Sequence, residues 1–224
     1  MPCPRFYKAS RKKKSVHFRR SAHCLSDGPK DPSRRKVCPL SRLAPLFLRG
    51  PSRKLPGARP RAVAPFAWRH EVSHPLSRGR GRRRRALVAD AVLTYLRLDG
   101  DGVAVEQRFL EIDRATLTVD RLAAELARYP ELFRLAGGDG EPLWRSRYPV
   151  FPPVHCVLTG GSRAVLERRR STAIALLRSD PRLARAPEVS VSICLLEDLQ
   201  AEGPFAPIFR DAREPGQPVD WLGG

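Results

Sequence analysis

Apolar and polar positions fall into regular periods only beyond about residue 66, and the period changes along the chain. Two apolar runs within residues 86–114, ALVADAVLTYL and VEQRFLEIDR, are joined by Asp99-Gly100-Asp101-Gly102. Apolar runs on either side of a turn-forming quartet predict a β-hairpin. The stretch WRHEVSH, residues 68–74, predicts a short strand ahead of it. After the hairpin, Val119, Leu122, Leu126 and Tyr129 recur at helical spacing. Thr118 is placed to cap that helix, Asp120 suits its positive end, and Pro130 marks its end or a kink. Prolines lead into a third apolar run, residues 154–158, as expected at the start of a strand. Ser162 then precedes a second helix over roughly residues 163–178, with Val165, Leu166, Ala173, Ile174 and Leu177 turned inward. VSVSICLL, residues 189–196, reads as a fourth core strand, and GPFAPIFRD as an arm packing back. Alternating strands and helices predict an α/β fold with a mixed central sheet flanked by helices.

Composition divides the chain in two. Residues 1–85 carry 25 of the 42 Lys+Arg and three acids, and the remainder carries 17 arginines against 20 acids. The whole-chain net charge of +19 therefore belongs to the leader. All seven lysines lie at or before Lys54. Rich in Pro, Arg and Ser and without lasting periodicity, residues 1–66 read as a disordered basic segment, and residues 67–224 as one α/β domain with a core of its own. Three explanations of the leader stand side by side: a basic arm that neutralises DNA phosphates, a localisation or transit signal in RKKKSVHFRR, and upstream sequence joined to a truncated domain. No apolar stretch follows the basic start as a secretory signal requires, and none is long enough to span a membrane. The five cysteines show no metal-binding spacing; Cys156 and Cys194 lie in apolar strand-like runs, which suits a reducing cytoplasm.

The candidate chemistry is in the hairpin. Asp90 interrupts the first apolar run, and Glu111 and Asp113, two residues apart in the second, point to the same side of an extended strand. Acids inside apolar strands are costly unless exposed, paired or bound to a cation. One reading makes them an ion-pair network with Arg114 or Arg121; the other makes them a site, with Asp90 and Glu111 as metal ligands and Glu71 ranking behind them. Arg82, Arg83, Arg84 and Arg85 would then hold a phosphate backbone beside it, together with Arg121. The triplet Arg168, Arg169 and Arg170 reads as an exposed helix face.

Taken in order, LVADAVLTYL, RFLEIDRAT, RLAAELARY, YPVFPPVHCVL and LLEDLQAEGPFAPIF resemble the C-terminal part of the actinobacterial replication-relaxation family, over about residues 68–209. That resemblance implies a cytoplasmic DNA-associated protein of plasmid replication, relaxation or transfer, with DNA and other replication or transfer proteins as partners. The winged helix that such proteins typically carry upstream has no counterpart in residues 1–66. A second resemblance is one of motif: a hairpin presenting Asp and then acid-x-Lys is similar to the PD-(D/E)xK nuclease core, the restriction-endonuclease-like fold. It implies Asp90 and Glu111 as ligands of Mg²⁺, Asp113 in the place of the lysine, and Arg114 or Arg121 against phosphate. Because residues 55–224 contain no lysine, the expectation is a nuclease-like domain that does not cut. A Mg²⁺-dependent endonuclease and a remnant without activity are the alternatives. Enzyme status and oligomeric state stay open.

Overall fold

The computed structural model describes residues 62–77, 85–99 and 102–223, all within the unit that spans residues 37–224. Residues 1–61, the arginine-rich loop 78–84 and the centre of the hairpin turn lie outside the described residues.

β1 (Ala62–Pro75), β2 (Ala86–Asp99) and β3 (Gly102–Asp113) form an antiparallel meander. β1 extends well upstream of the WRHEVSH pattern. Its register shifts between Pro65 and Ala67, and on an edge strand a bulge accommodates a residue that cannot donate to the ladder. β3 pairs in parallel with β4 (Val154–Leu158), and β4 with β5 (Val191–Leu195). Two short antiparallel strands, β6 (Phe209–Asp211) and β7 (Pro218–Val219), complete the sheet. The fold is thus α/β, with seven strands in chain order in one mixed sheet and helices flanking it.

Parallel neighbours require crossover connections. Between β3 and β4 run α1 (Val119–Leu126), α2 (Arg128–Arg134) and a 3-10 turn, Leu143–Ser146. Between β4 and β5 run α3 (Arg163–Ser179) and the single turn α4 (Pro181–Ala184), and α5 (Leu196–Glu202) follows β5. On one face of the sheet, Leu122, Leu126, Leu166 and Leu177 from the crossover helices pack on Phe109, Val154 and Ile193. Phe109 is the hub, with the rings of His74, Tyr129, Tyr148 and Phe151 centred 4.9–5.6 Å away. The other face is covered by α5 and the C-terminal segment, where Leu199, Phe209 and Trp221 meet Leu93, Tyr95 and Leu110. Cys156 and Cys194 are buried free thiols, one on each face.

Three local expectations change. The first helix ends at Leu126 and restarts at Arg128 rather than running to Tyr129. A proline ring collides with the carbonyl four residues earlier, here that of Leu126, so the break precedes Pro130 and places it in the first turn of α2. Val165 is 44% exposed instead of inward. It sits one residue, and so about 100° of helical rotation, from Leu166, which belongs to the buried stripe. Thr118 and Ser162 occupy N-cap positions with extended backbones, but neither side chain makes a capping hydrogen bond.

Candidate functional site

β2 and β3 pair as far as Ala91 and Leu110 and then part, while β3 runs on beside β4 along its other edge. A backbone N–H left without a strand partner needs another acceptor. Asp90 provides it: its Oδ2 accepts from the Ile112 N–H at 2.8 Å. On its other side Asp90 faces Glu71, where β1 takes a left-handed φ of +49° and drops one step of pairing between His70 and Val72. The fork therefore draws the polar groups of three strands together.

Along β3 the side chains alternate. Phe109, Glu111 and Asp113 face the crossover helices, while Leu110 and Ile112 face the opposite cluster. The Asp90 and Glu111 carboxyls lie close enough to act on each other. The Tyr129 hydroxyl of α2 donates a short hydrogen bond to Glu111 Oε1. Burial pushes Glu111 up to about 8, and the Asp90 charge adds to the effect. Asp90 is also raised by burial, with the Ile112 N–H opposing. Burial and the neighbouring carboxylate thus favour the protonated form of Glu111 at neutral pH. Tyr129 stays a phenol, since burial and the Glu111 charge both push its pKa upward.

Asp113 belongs to a different set of contacts. Arg169 of α3 grips it bidentately, with Nε 2.5 Å from Oδ2 and Nη2 3.1 Å from Oδ1. Both partners are largely buried, Asp113 at 6% exposure. Neither Arg114 nor Arg121, the partners considered from sequence, makes this pair. Both are exposed. Arg114 lies close enough to Asp90 to favour its charged form. Arg85 pairs with Glu131 at 3.3 Å, on the outside of α2. Arg82, Arg83 and Arg84 lie outside the described residues.

The donor set bears on metal binding. Asp90 and Glu111 converge, but among the described residues no group of three or more His, Cys, Asp or Glu is arranged to hold a metal ion. One Asp90 oxygen is taken up by a backbone N–H, one Glu111 oxygen by a phenol, and Asp113 by a guanidinium. With their oxygens committed in this way, the residues do not fit a cation cage.

Two members of this arrangement escaped the sequence reading. Tyr129 counted only as an apolar helix position, yet its stripe with Leu122 and Leu126 already aimed it at the sheet. Arg169 counted as part of an exposed triplet, yet it stands three residues after Leu166 and four before Ala173, which is the spacing of the inward stripe.

Among the described residues, no helix is long and apolar enough to cross a membrane. No curated protein and no solved structure gives a significant match to the chain. The family model described as "Replication-relaxation" matches residues 44–142, a span that takes in the three-stranded meander, both acids of the fork and α1 and α2. Through this segment, the chain is similar to the replication-relaxation family.

Proposed function

We propose that the chain is a DNA-associated protein of replication and relaxation whose α/β domain is nuclease-like in plan and does not cut. The observation that carries this reading is the bidentate Asp113–Arg169 pair. Asp113 stands where a PD-(D/E)xK site would keep its lysine, and a carboxylate held by a buried guanidinium neither activates water nor stabilises a leaving oxygen. Arginine stays protonated and is a poor base. The chain's own residues here do other work: Asp90 closes the fork, Glu111 and Tyr129 tie β3 to α2, and Asp113 ties β3 to α3. The match to the replication-relaxation family model and the excess of Lys+Arg in residues 1–85 support DNA as the partner. A plasmid context is part of the same proposal.

Electrophoretic mobility shift with the full chain and linear duplex DNA tests the partner. Retardation at low salt that weakens steeply as salt rises is expected, because phosphate contacts release counterions. Absence of retardation at 50 mM salt overturns the reading. A Mg²⁺-dependent endonuclease is the second reading, favoured by the convergence of Asp90 and Glu111, and cleavage separates it from the first.

A further inference from the structure

The long helix α3 presents a second charged feature, on a side that the acid fork does not use. Arg170, Ile174 and Arg178 follow one another at four-residue spacing along it, which places the two guanidinium-bearing positions about 12 Å apart on one stripe. Across from this stripe lies β6. Phe209 is buried in the cluster on the far face of the sheet, so Arg210, the next residue, points to the α3 side. Arg170, Ser171, Arg178, Arg210 and Pro215 line a cleft of about 280 Å³ between helix and strand, with Ile174 among its apolar walls.

Three arginines at one small cleft are mutually repulsive unless something negative lies among them. The nearest carboxylates are committed elsewhere. Asp198 is 3.9 Å from Arg170 Nη1 but accepts at 2.7 Å from Arg163. Asp211, beside Arg210 in the chain, accepts from the Ser190 hydroxyl at 2.9 Å and from the Arg213 N–H at 2.7 Å. Among the described residues no carboxylate lies within ion-pair distance of Arg178 or Arg210. The charge of Arg210 also acts on Arg170, whose guanidinium is held below its ordinary value by burial and by that neighbour. Arg169, one residue before Arg170, is neutralised by Asp113, and Arg213 spends its donors on the carbonyls of Leu183, Ala186 and Val189. Adjacent arginines are thus satisfied within the fold, whereas those of the cleft are left under-compensated.

We infer that the cleft between α3 and β6 is an anion site for a phosphate group, bound by Arg170, Arg178 and Arg210. Planar guanidinium forks match phosphate oxygens bidentately. A phosphodiester of DNA and a free phosphorylated small molecule share this chemistry. The site requires neither the acid fork nor DNA binding.

Thermal unfolding of the full chain in inorganic phosphate or pyrophosphate, against chloride at equal ionic strength, tests the inference. A saturable rise in Tm of about 5 °C is expected for the wild type. Arg170→Gln/Arg210→Gln should lose it, Arg178→Gln should weaken binding about tenfold, and Arg168→Gln, on the exposed side of the helix, should retain it. All four proteins carry the same basic leader, so a difference between them reports on the cleft. Without ligand, Arg210→Gln should melt no lower than wild type, since it removes a repulsion. This keeps the test informative if the double variant folds poorly. If the natural ligand is DNA backbone, Arg210→Gln lowers duplex affinity and phosphate competes with DNA. If it is a free phosphorylated molecule, duplex affinity is unchanged and pyrophosphate binds more tightly than phosphate. Stabilisation no greater than in chloride, or equal in wild type and Arg210→Gln, overturns the inference. Phosphate binding by a chain that fails to shift DNA would sink the DNA reading and leave the cleft standing.

Discussion

At the scale of single residues, the acids of the hairpin divide into two devices that one-dimensional spacing lumps together. Glu111 and Asp113 share a face, as their i, i+2 spacing requires, but one meets a carboxyl and a phenol, the other an arginine. The strand period was legible; the identity of the partners was not, because they arrive from helices 18 and 56 positions away in the chain. The raised Glu111 has a measurable consequence. Unfolded, it titrates near 4.5, and folded at about 8. Between these values the native state keeps a proton that the unfolded chain has lost, so stability should fall as pH rises through this window. Urea midpoints from pH 5 to 8.5 should show the decline. Glu111→Gln should flatten it and stabilise the protein at pH 8 by ~2 kcal/mol, whereas an unchanged slope would place the proton elsewhere. The Asp113 pair behaves differently. Arg169→Ala strands a buried carboxylate and should cost ~3–5 kcal/mol, while Arg169→Met with Asp113→Leu should recover most of that loss. Denaturant unfolding of both variants checks this, and equal losses would mean that the charge pair is not what the positions contribute.

At the scale of elements, the apolar pattern located β2, β3, β4, β5 and the two main helices, since each buries a continuous face of the core. It said less about β1, whose upstream half carries Pro65, and about β6 and β7, which are too short to show a period. The break between α1 and α2 was signalled by Pro130, though the sequence left open on which side of the proline the helix would yield. The fork itself depends on an element junction that no pattern announces: the turn from β4 into α3. Gly160 has φ +85°, and a Cβ there would collide with the carbonyl oxygen of Arg114, just past the end of β3. Gly160→Ala should therefore destabilise by ~2 kcal/mol or more from backbone strain and forced displacement of the β3 end. Gly138→Ala, where nothing lies within 4 Å, serves as the tolerant comparison. Equal melting temperatures for the two would show that the close approach is not maintained in solution.

At the scale of the whole molecule, charge is distributed so that the two parts of the chain make different contributions. Residues 1–85 hold most of the positive charge, whereas the remainder is slightly acidic overall and uses many of its arginines internally, as Arg108, Arg169 and Arg213 demonstrate. Composition therefore points toward DNA more directly than the folded surface does, and any affinity for duplex should depend on salt more than on sequence. What the domain adds depends on whether its acid fork performs chemistry. Supercoiled plasmid incubated with the full chain in Mg²⁺ or Mn²⁺, beside Asp90→Asn/Glu111→Gln, decides this most directly. Wild type and variant are both expected to leave the plasmid supercoiled while still retarding it on a gel. Nicking by the wild type that depends on the divalent ion and is lost in the variant would contradict that expectation and make Asp90 and Glu111 the ligands of a working endonuclease.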